Sequence, residues 1–228
     1  MITGSCGQLG AHVMRGLVDR GITVLGLSRR PCTGSHGPVR VLDVRSPELT
    51  NVIREFQPTH IVHLAGVSSP TEAERDPDRA WAMHVDVPRR LNACGVWMLY
   101  PSSDFVWDGT KKGRYTTADV PHPQSVYGRS KVAGERVVDG LVVRFSLLYG
   151  PPACPRSTTW TQWTSKIDAG EPVPVFTNEF RTPLPFTEAA ERVIDLGRHK
   201  VRGLVHVAGP DVLTPKDLVT VLARSRGT

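Results

Sequence analysis

The sequence predicts an α/β protein, a doubly wound parallel sheet with helices on both faces, carrying a small C-terminal lobe. Three observations predict it. Short β-branched apolar runs alternate with segments of helical spacing as far as Gly150. A glycine-rich turn follows the first of those runs, and beyond Gly150 prolines and tryptophans replace the alternation. Parallel neighbours need crossover connections and both sheet faces must be covered, so alternation of this kind implies helices on both sides.

The first strand ends in Gly4-Ser5-Cys6-Gly7-Gln8-Leu9-Gly10, with glycines three apart, and a helix is expected from Leu9 to Arg20. The turn must be tight, its backbone must approach a pyrophosphate closely, and the helix start supplies free N–H groups and a positive dipole end. This is the phosphate loop of a Rossmann-type fold. Gly4, Cys6, Gly7, Gln8, Leu9 and Gly10 are its candidate cofactor contacts.

A second strand over Thr23–Leu27 runs into Ser28-Arg29-Arg30, where an NAD enzyme of this type offers an acidic side chain to the ribose 2′-hydroxyl. Two guanidinium groups there suit a 2′-phosphate, which makes NADP(H) the expected cofactor. The third strand, Val39–Leu42, closes on Asp43 and Val44, placed to touch adenine. A helix is expected over Pro47–Phe56. The fourth strand, His60–Leu64, passes into Leu64-Ala65-Gly66, where the cofactor ribose would approach the backbone, and Ser68 follows as a candidate substrate contact.

A helix over Asp78–Ala93 and a strand over Val96–Tyr100 lead to Ser103, with Asp104 and Val106 as further substrate candidates. Tyr127 and Lys131 stand four apart at the start of the next helix, so both project from one face. A lysine charge nearby stabilises tyrosinate and is expected to lower the tyrosine pKa, fitting the phenol for acid–base work. The Ser103 hydroxyl would hold a substrate carbonyl. Ser103, Tyr127 and Lys131 are the candidate catalytic set, and Tyr127 and Lys131 also count as cofactor contacts.

The strand Leu141–Phe145 precedes Pro151-Pro152-Ala153-Cys154-Pro155-Arg156, then Trp160, Trp163 and Gly170-Glu171-Pro172-Val173-Pro174. These read as loops and short elements over the mouth of the sheet. Trp160, Trp163 and Arg181 are expected around a substrate's nucleotide end, the aromatics for stacking and the arginine for a diphosphate. A helix near Glu188–Gly197, a strand Leu204–Val207 and a last helix from Pro215 finish the chain. The expected division is 1–150 for the NADP-binding Rossmann domain and 151–228 for a small substrate lobe, not separable as an independent domain.

Residues 2–10, 102–109, 123–131, 143–150 and 206–210 together resemble the extended short-chain dehydrogenase/reductases, and within them the dTDP-4-dehydrorhamnose reductases. The resemblance implies an NADPH-dependent ketoreductase acting on a nucleotide-linked 4-keto-6-deoxysugar or a related ketone, with Lys131 also binding the nicotinamide ribose. It also implies a shortened first strand and substrate lobe. Ser103 stands where the resembled family has threonine, His84 where such enzymes often have asparagine, and Leu147 where they tend to have tryptophan. Two alternatives stay open: an epimerase or dehydratase of the same fold, and a non-catalytic, NADP-binding regulatory subunit of the kind that binds a methionine adenosyltransferase.

Composition narrows the classes further. With 39% hydrophobic and 22% charged residues the chain is an ordinary globular protein. Its formal charge of +6 comes from dispersed arginines without a basic run, so no nucleic-acid partner is expected. No apolar stretch reaches membrane-spanning length, so the reading expects a cytosolic protein with no membrane partner, and a homodimer is left open. Cys6, Cys32, Cys94 and Cys154 are dispersed, with no metal-site spacing, and are expected to be reduced thiols.

Overall fold

The fold is given by a computed structural model that describes residues 1–154 and 158–227. Its strands in chain order are β1 (Ile2–Thr3), β2 (Gly26–Ser28), β3 (Val39–Val41), β4 (His60–His63), β5 (Trp97–Ser103), β6 (Leu141–Phe145), β7 (Leu148–Tyr149), β8 (Leu184–Pro185) and β9 (Gly203–Val207). Seven of them form one sheet in the order β3-β2-β1-β4-β5-β6-β9, with parallel pairing throughout. β7 and β8 pair separately. The order reverses between β1 and β4, and the crevice at such a switch point, outside the carboxyl ends of the strands, is where open α/β sheets bind ligands.

The helices are α1 (Gln8–Asp19), α2 (Leu49–Phe56), α3 (Pro70–Arg75), α4 (Pro77–Trp81), α5 (Val87–Asn92), α6 (Val126–Glu135), α7 (Thr159–Asp168), α8 (Phe186–Arg198) and α9 (Pro215–Ser225). The two-residue period of the strands sends neighbours to opposite faces. Val62 and Leu99 join the core under α1 and α8, whereas Ile61 and Met98 join the core under α2 and α5. Both faces are therefore filled, as the alternation predicts. The helix expected over 78–93 is interrupted by a π-helical stretch, Ala82–Asp86, which carries the buried His84.

The tryptophan-bearing stretch, expected as loops and short elements, forms the helix α7, closed at its start by reciprocal bonds between Thr158 and Thr161. Its threonines and tryptophans are mediocre helix formers, so local propensity could not reveal it, and Ile167 anchors it by burial. The Pro155-Arg156 end of the proline-rich run lies outside the described residues. Within segment 151–228, β9 extends the sheet beside β6 and α8 packs on α1. Among the described residues no helix is long and apolar enough to cross a membrane.

Candidate active site

β1 turns into α1 through Gly4, whose φ of +69° lies in the left-handed region, and a Cβ there would sit 2.6 Å from the Ala65 nitrogen. Gly10 is as constrained, since a Cβ would meet the Gly4 carbonyl oxygen at 2.2 Å. The Gly7 amide donates to the Gly4 carbonyl at 2.8 Å, closing the turn. Gly7 caps α1 without a side chain, which leaves N–H groups at the helix start for an anion. A glycine cradle of this shape fits a dinucleotide pyrophosphate.

A buried chain of hydrogen bonds holds the cradle against β4. The Ala65 amide donates to Thr3 Oγ1 at 3.2 Å, and Thr3 Oγ1 lies 2.7 Å from His63 Nδ1. His63 Nε2 faces the Met83 carbonyl at 3.4 Å, an acceptor, so Nε2 carries the proton and Nδ1 accepts from Thr3. Burial pushes the His63 pKa down to about 3, so the ring stays neutral. Sequence reasoning missed this histidine, which looks like one of two polar residues in an otherwise apolar strand.

The other expected cofactor contacts divide. Leu9 and Val44 are buried in the two cores, so only their backbones are free to meet a ligand. Leu64 is half-buried, and a Cβ on Gly66 would lie 3.2 Å from His84 Nε2 and 3.9 Å from Lys131 Nζ, which places Gly66 beside the candidate catalytic lysine. Arg29 and Arg30 are exposed just beyond Ser28, which ends β2. Asp43 is paired with its neighbour Arg45. Arg45 grips its carboxylate with Nη2 at 2.7 Å and Nε at 3.1 Å, and these bonds pull its pKa down to about 2. Gln8 accepts from the Ala153 amide at 3.3 Å, tying the loop to the segment after Gly150.

The expectation of four reduced thiols fails at Cys6 and Cys32, which form a disulfide. Parallel pairing of β1 with β2 brings the turn after one strand beside the segment after the other, an adjacency that a separation of 26 residues conceals. Cys94 and Cys154 are free thiols, and Cys154 Sγ donates to the Cys6 carbonyl at 3.3 Å.

Ser103 ends β5, and Tyr127 and Lys131 face it from the first turns of α6, whose start is capped by the Ser125 hydroxyl. All three are buried. The Ser103 hydroxyl donates to Asp104 Oδ1 at 3.2 Å and accepts from the Phe105 amide at 3.3 Å. Lys131 Nζ donates to the Pro101 carbonyl at 3.0 Å and lies 5.7 Å from the centre of the Tyr127 ring. Burial pushes the lysine pKa down to about 7, against the opposing charge of Glu135. The expectation that Lys131 lowers the Tyr127 pKa is reversed here. Burial first, and the Asp104 carboxylate second, push the phenol up to about 12, while Ser103 and Arg181 act the other way. The phenol is thus held protonated, the form of a general acid.

Arg181 reaches this centre but is not free to meet a diphosphate. Its Nε and Nη2 donate to Asp104 Oδ2 and Oδ1 at 2.7 and 2.6 Å, and Nη1 donates to Glu179 at 2.6 Å. Its guanidinium lies 4.6 Å from the centre of the Phe105 ring. Asp104 also accepts from Ser146 at 2.7 Å. Val106 is fully buried and Ser68 is exposed in the loop before α3. Trp160 and Trp163 are both half-buried on α7, and the Trp160 ring centre lies 5.7 Å from that of Tyr149.

His84, which stands where the resembled enzymes often have asparagine, joins two walls of the site. Its Nε2 lies 2.9 Å from the Val67 carbonyl and its Nδ1 lies 2.8 Å from Ser130 Oγ on α6. The carbonyl only accepts, so Nε2 carries the proton, and the single Ser130 hydroxyl proton lies between two acceptors, His84 Nδ1 and the Tyr127 carbonyl at 2.9 Å. Burial, and then the charge of Lys131, push the His84 pKa down to about 2. Behind α6, Glu135 pairs with the buried Arg144 at 2.6 Å and accepts from Ser102 at 2.5 Å, fixing the helix to β5 and β6.

The whole described chain matches a known family. A model of the RmlD substrate binding domain covers residues 1–227. The chain belongs to the RmlD substrate-binding-domain family. It is 30% identical over 228 residues to the probable low-salt glycan biosynthesis reductase Agl14 of Haloferax volcanii, a match spanning 95% of this chain and 76% of that protein. It is 34% identical over 159 residues to methionine adenosyltransferase 2 subunit beta of Bos taurus, covering 66% of this chain and 47% of that one. Among solved structures, dTDP-4-dehydrorhamnose reductase of Bacillus anthracis in complex with NADP superposes with a TM-score of 0.87 at 21% identity, over all of this chain and 80% of that one. At that identity the likeness establishes a shared fold for this member of the RmlD family.

Proposed function

We propose that this RmlD-family chain is an NADPH-dependent ketoreductase whose substrate is a nucleotide-linked 4-keto-6-deoxysugar or a related ketone. The observation that carries the reading is the meeting of Ser103, Tyr127 and Lys131 beside the Gly4–Gly66 wall of the cradle, with the phenol held protonated. The dinucleotide, when bound, supplies a hydride to the substrate carbonyl carbon. The Ser103 hydroxyl orients the carbonyl oxygen, and the Tyr127 phenol gives up its proton to that oxygen as negative charge develops on it. Lys131 holds the ribose hydroxyls beside Gly66. In its charged form Lys131 would ease proton loss from Tyr127.

Arg29 and Arg30 support NADPH over NADH, since both are exposed where a 2′-phosphate would lie and neither is held in a salt bridge among the described residues. A second reading, a regulatory subunit, is favoured by the likeness to methionine adenosyltransferase 2 subunit beta. One experiment separates the two: NADPH oxidation by the purified chain against a panel of keto-sugar nucleotides, with NADPH affinity measured in parallel. Turnover on any member supports the reductase. Tight NADPH binding without turnover on any ketone moves the regulatory reading ahead.

A further inference from the structure

The Cys6–Cys32 pair stands in the dinucleotide cradle, a place where a purely structural cross-link would be an obstacle. Cys6 lies in the turn between β1 and α1, at the phosphate loop. Cys32 lies beyond Arg29 and Arg30, in the segment that follows β2. A dinucleotide with its pyrophosphate on the loop and its 2′-phosphate on the arginines must lay its adenosine ribose between these two segments. In the disulfide their Cα atoms are 5.9 Å apart. A ligand atom placed between two chain segments needs a contact of about 3.5 Å on either side, or about 7 Å in all. The closed pair leaves no such gap.

We propose that Cys6 and Cys32 are a reversible thiol-oxidation site, and that the disulfide is a closed form which excludes the adenosine end of the dinucleotide. This rests on the dinucleotide reading above. Both cysteines are partly exposed, within reach of a small oxidant such as a peroxide. Cys6 precedes the start of α1, whose positive end favours a thiolate. That thiolate attacks one peroxide oxygen, the O–O bond breaks, and water leaves a sulfenic acid on Cys6. The Cys32 thiolate then displaces the hydroxyl group from sulfur, forming the S–S bond and releasing a second water. Two electrons pass from the thiols to the peroxide. A dithiol reverses the change by two exchange steps and becomes a disulfide itself. Cys94, just beyond the end of α5, is a free thiol that donates to the Arg90 carbonyl at 3.4 Å.

The test uses the full chain, reduced with dithiothreitol or oxidised with hydrogen peroxide and then freed of reagent. NADPH binding is read by fluorescence titration, and disulfides by mass mapping of peptides under non-reducing conditions. The expected result is at least a tenfold weaker NADPH affinity after oxidation, a mapped Cys6–Cys32 peptide, and full recovery on reduction. Cys32→Ser and Cys32→Ala should bind NADPH like the reduced parent and keep that affinity after peroxide, whereas Cys154→Ser should remain sensitive. Equal affinity in the two states overturns the proposal, as does a mapped Cys6–Cys154 link or loss of binding by oxidised Cys32→Ser. If the reduced parent binds neither NADPH nor NADH, the dinucleotide reading fails first and this proposal falls with it.

Discussion

Lys131 and Tyr127 stand four residues apart on α6, yet the lysine's hydrogen bond goes to the Pro101 carbonyl at 3.0 Å while its ammonium lies 5.7 Å from the centre of the phenol ring. The lysine's own burial sets how much charge it carries. Tyr127→Phe preserves the ring's contacts with His84 and Phe105 and removes only the hydroxyl. Turnover should fall by about 10²–10⁴-fold with little change in NADPH affinity, because general acid catalysis contributes on that scale. Steady-state kinetics beside a binding titration checks this, and undiminished turnover would remove Tyr127 as the acid.

Lys131 links pH to stability. Its pKa falls from 10.5 to about 7 on folding, so between those values the unfolded chain holds a proton that the folded chain lacks. Stability therefore rises with pH from about 7 towards 10.5, by at most about 1.4 kcal/mol per pH unit, and is insensitive to this group below pH 7. Denaturant unfolding of the parent and of Lys131→Met from pH 7 to 9.5 should show a steeper rise for the parent. The range stops short of pH 10, above which the raised Tyr127 pKa works in the opposite direction.

Arg29 and Arg30 should make the reduced protein bind NADPH more tightly than NADH by about 1.5–3 kcal/mol, the worth of one fully formed charge-assisted contact. The double replacement Arg29→Ala, Arg30→Ala should abolish the preference and leave NADH affinity in place. Calorimetric titration of both dinucleotides decides it. A preference for NADH in the parent would contradict the assignment.

The fork between Arg181 and Asp104 joins the segment before β8 to the end of β5. Each single replacement, Arg181→Ala or Asp104→Ala, should lower stability by about 1.5–3 kcal/mol, since hydrogen bonds to charged groups contribute on that scale. The double mutant should lose little more than the worse single one, because the pair acts as a unit. Arg181→Lys should fail to restore stability, a point charge being unable to span both carboxylate oxygens. Additive losses in urea unfolding would show that the two side chains are independent.

Much of the fold was legible because it rests on local periodicity. Runs such as His60–Leu64 and Val96–Tyr100 could hardly be anything but buried strands once helical segments flanked them, and β4 and β5 fall there. The glycine spacing before α1 was legible for the same reason, a steric demand written into neighbouring residues. The helix α7 was not, because Thr159–Asp168 has neither strong propensity nor a clear apolar stripe, and its stability comes from Ile167 and from its capping box.

Sequence therefore decided which residue types were present at each strand end: the glycine turn, the arginine pair after β2, the serine that ends β5, and a tyrosine and lysine one helical turn apart. Those are properties of neighbours in the chain, and the strand and helix periods carry them into space unaided. Tertiary structure alone decided what each of them touches. Asp43 is taken by Arg45, Arg181 by Asp104, and His84 by Ser130 and Val67. Cys6 meets Cys32 only because β2 lies beside β1, and the Tyr127 pKa is raised chiefly because the fold removes the phenol from water. Pairing across long separations and desolvation both depend on how the elements pack, and no window of sequence contains that information.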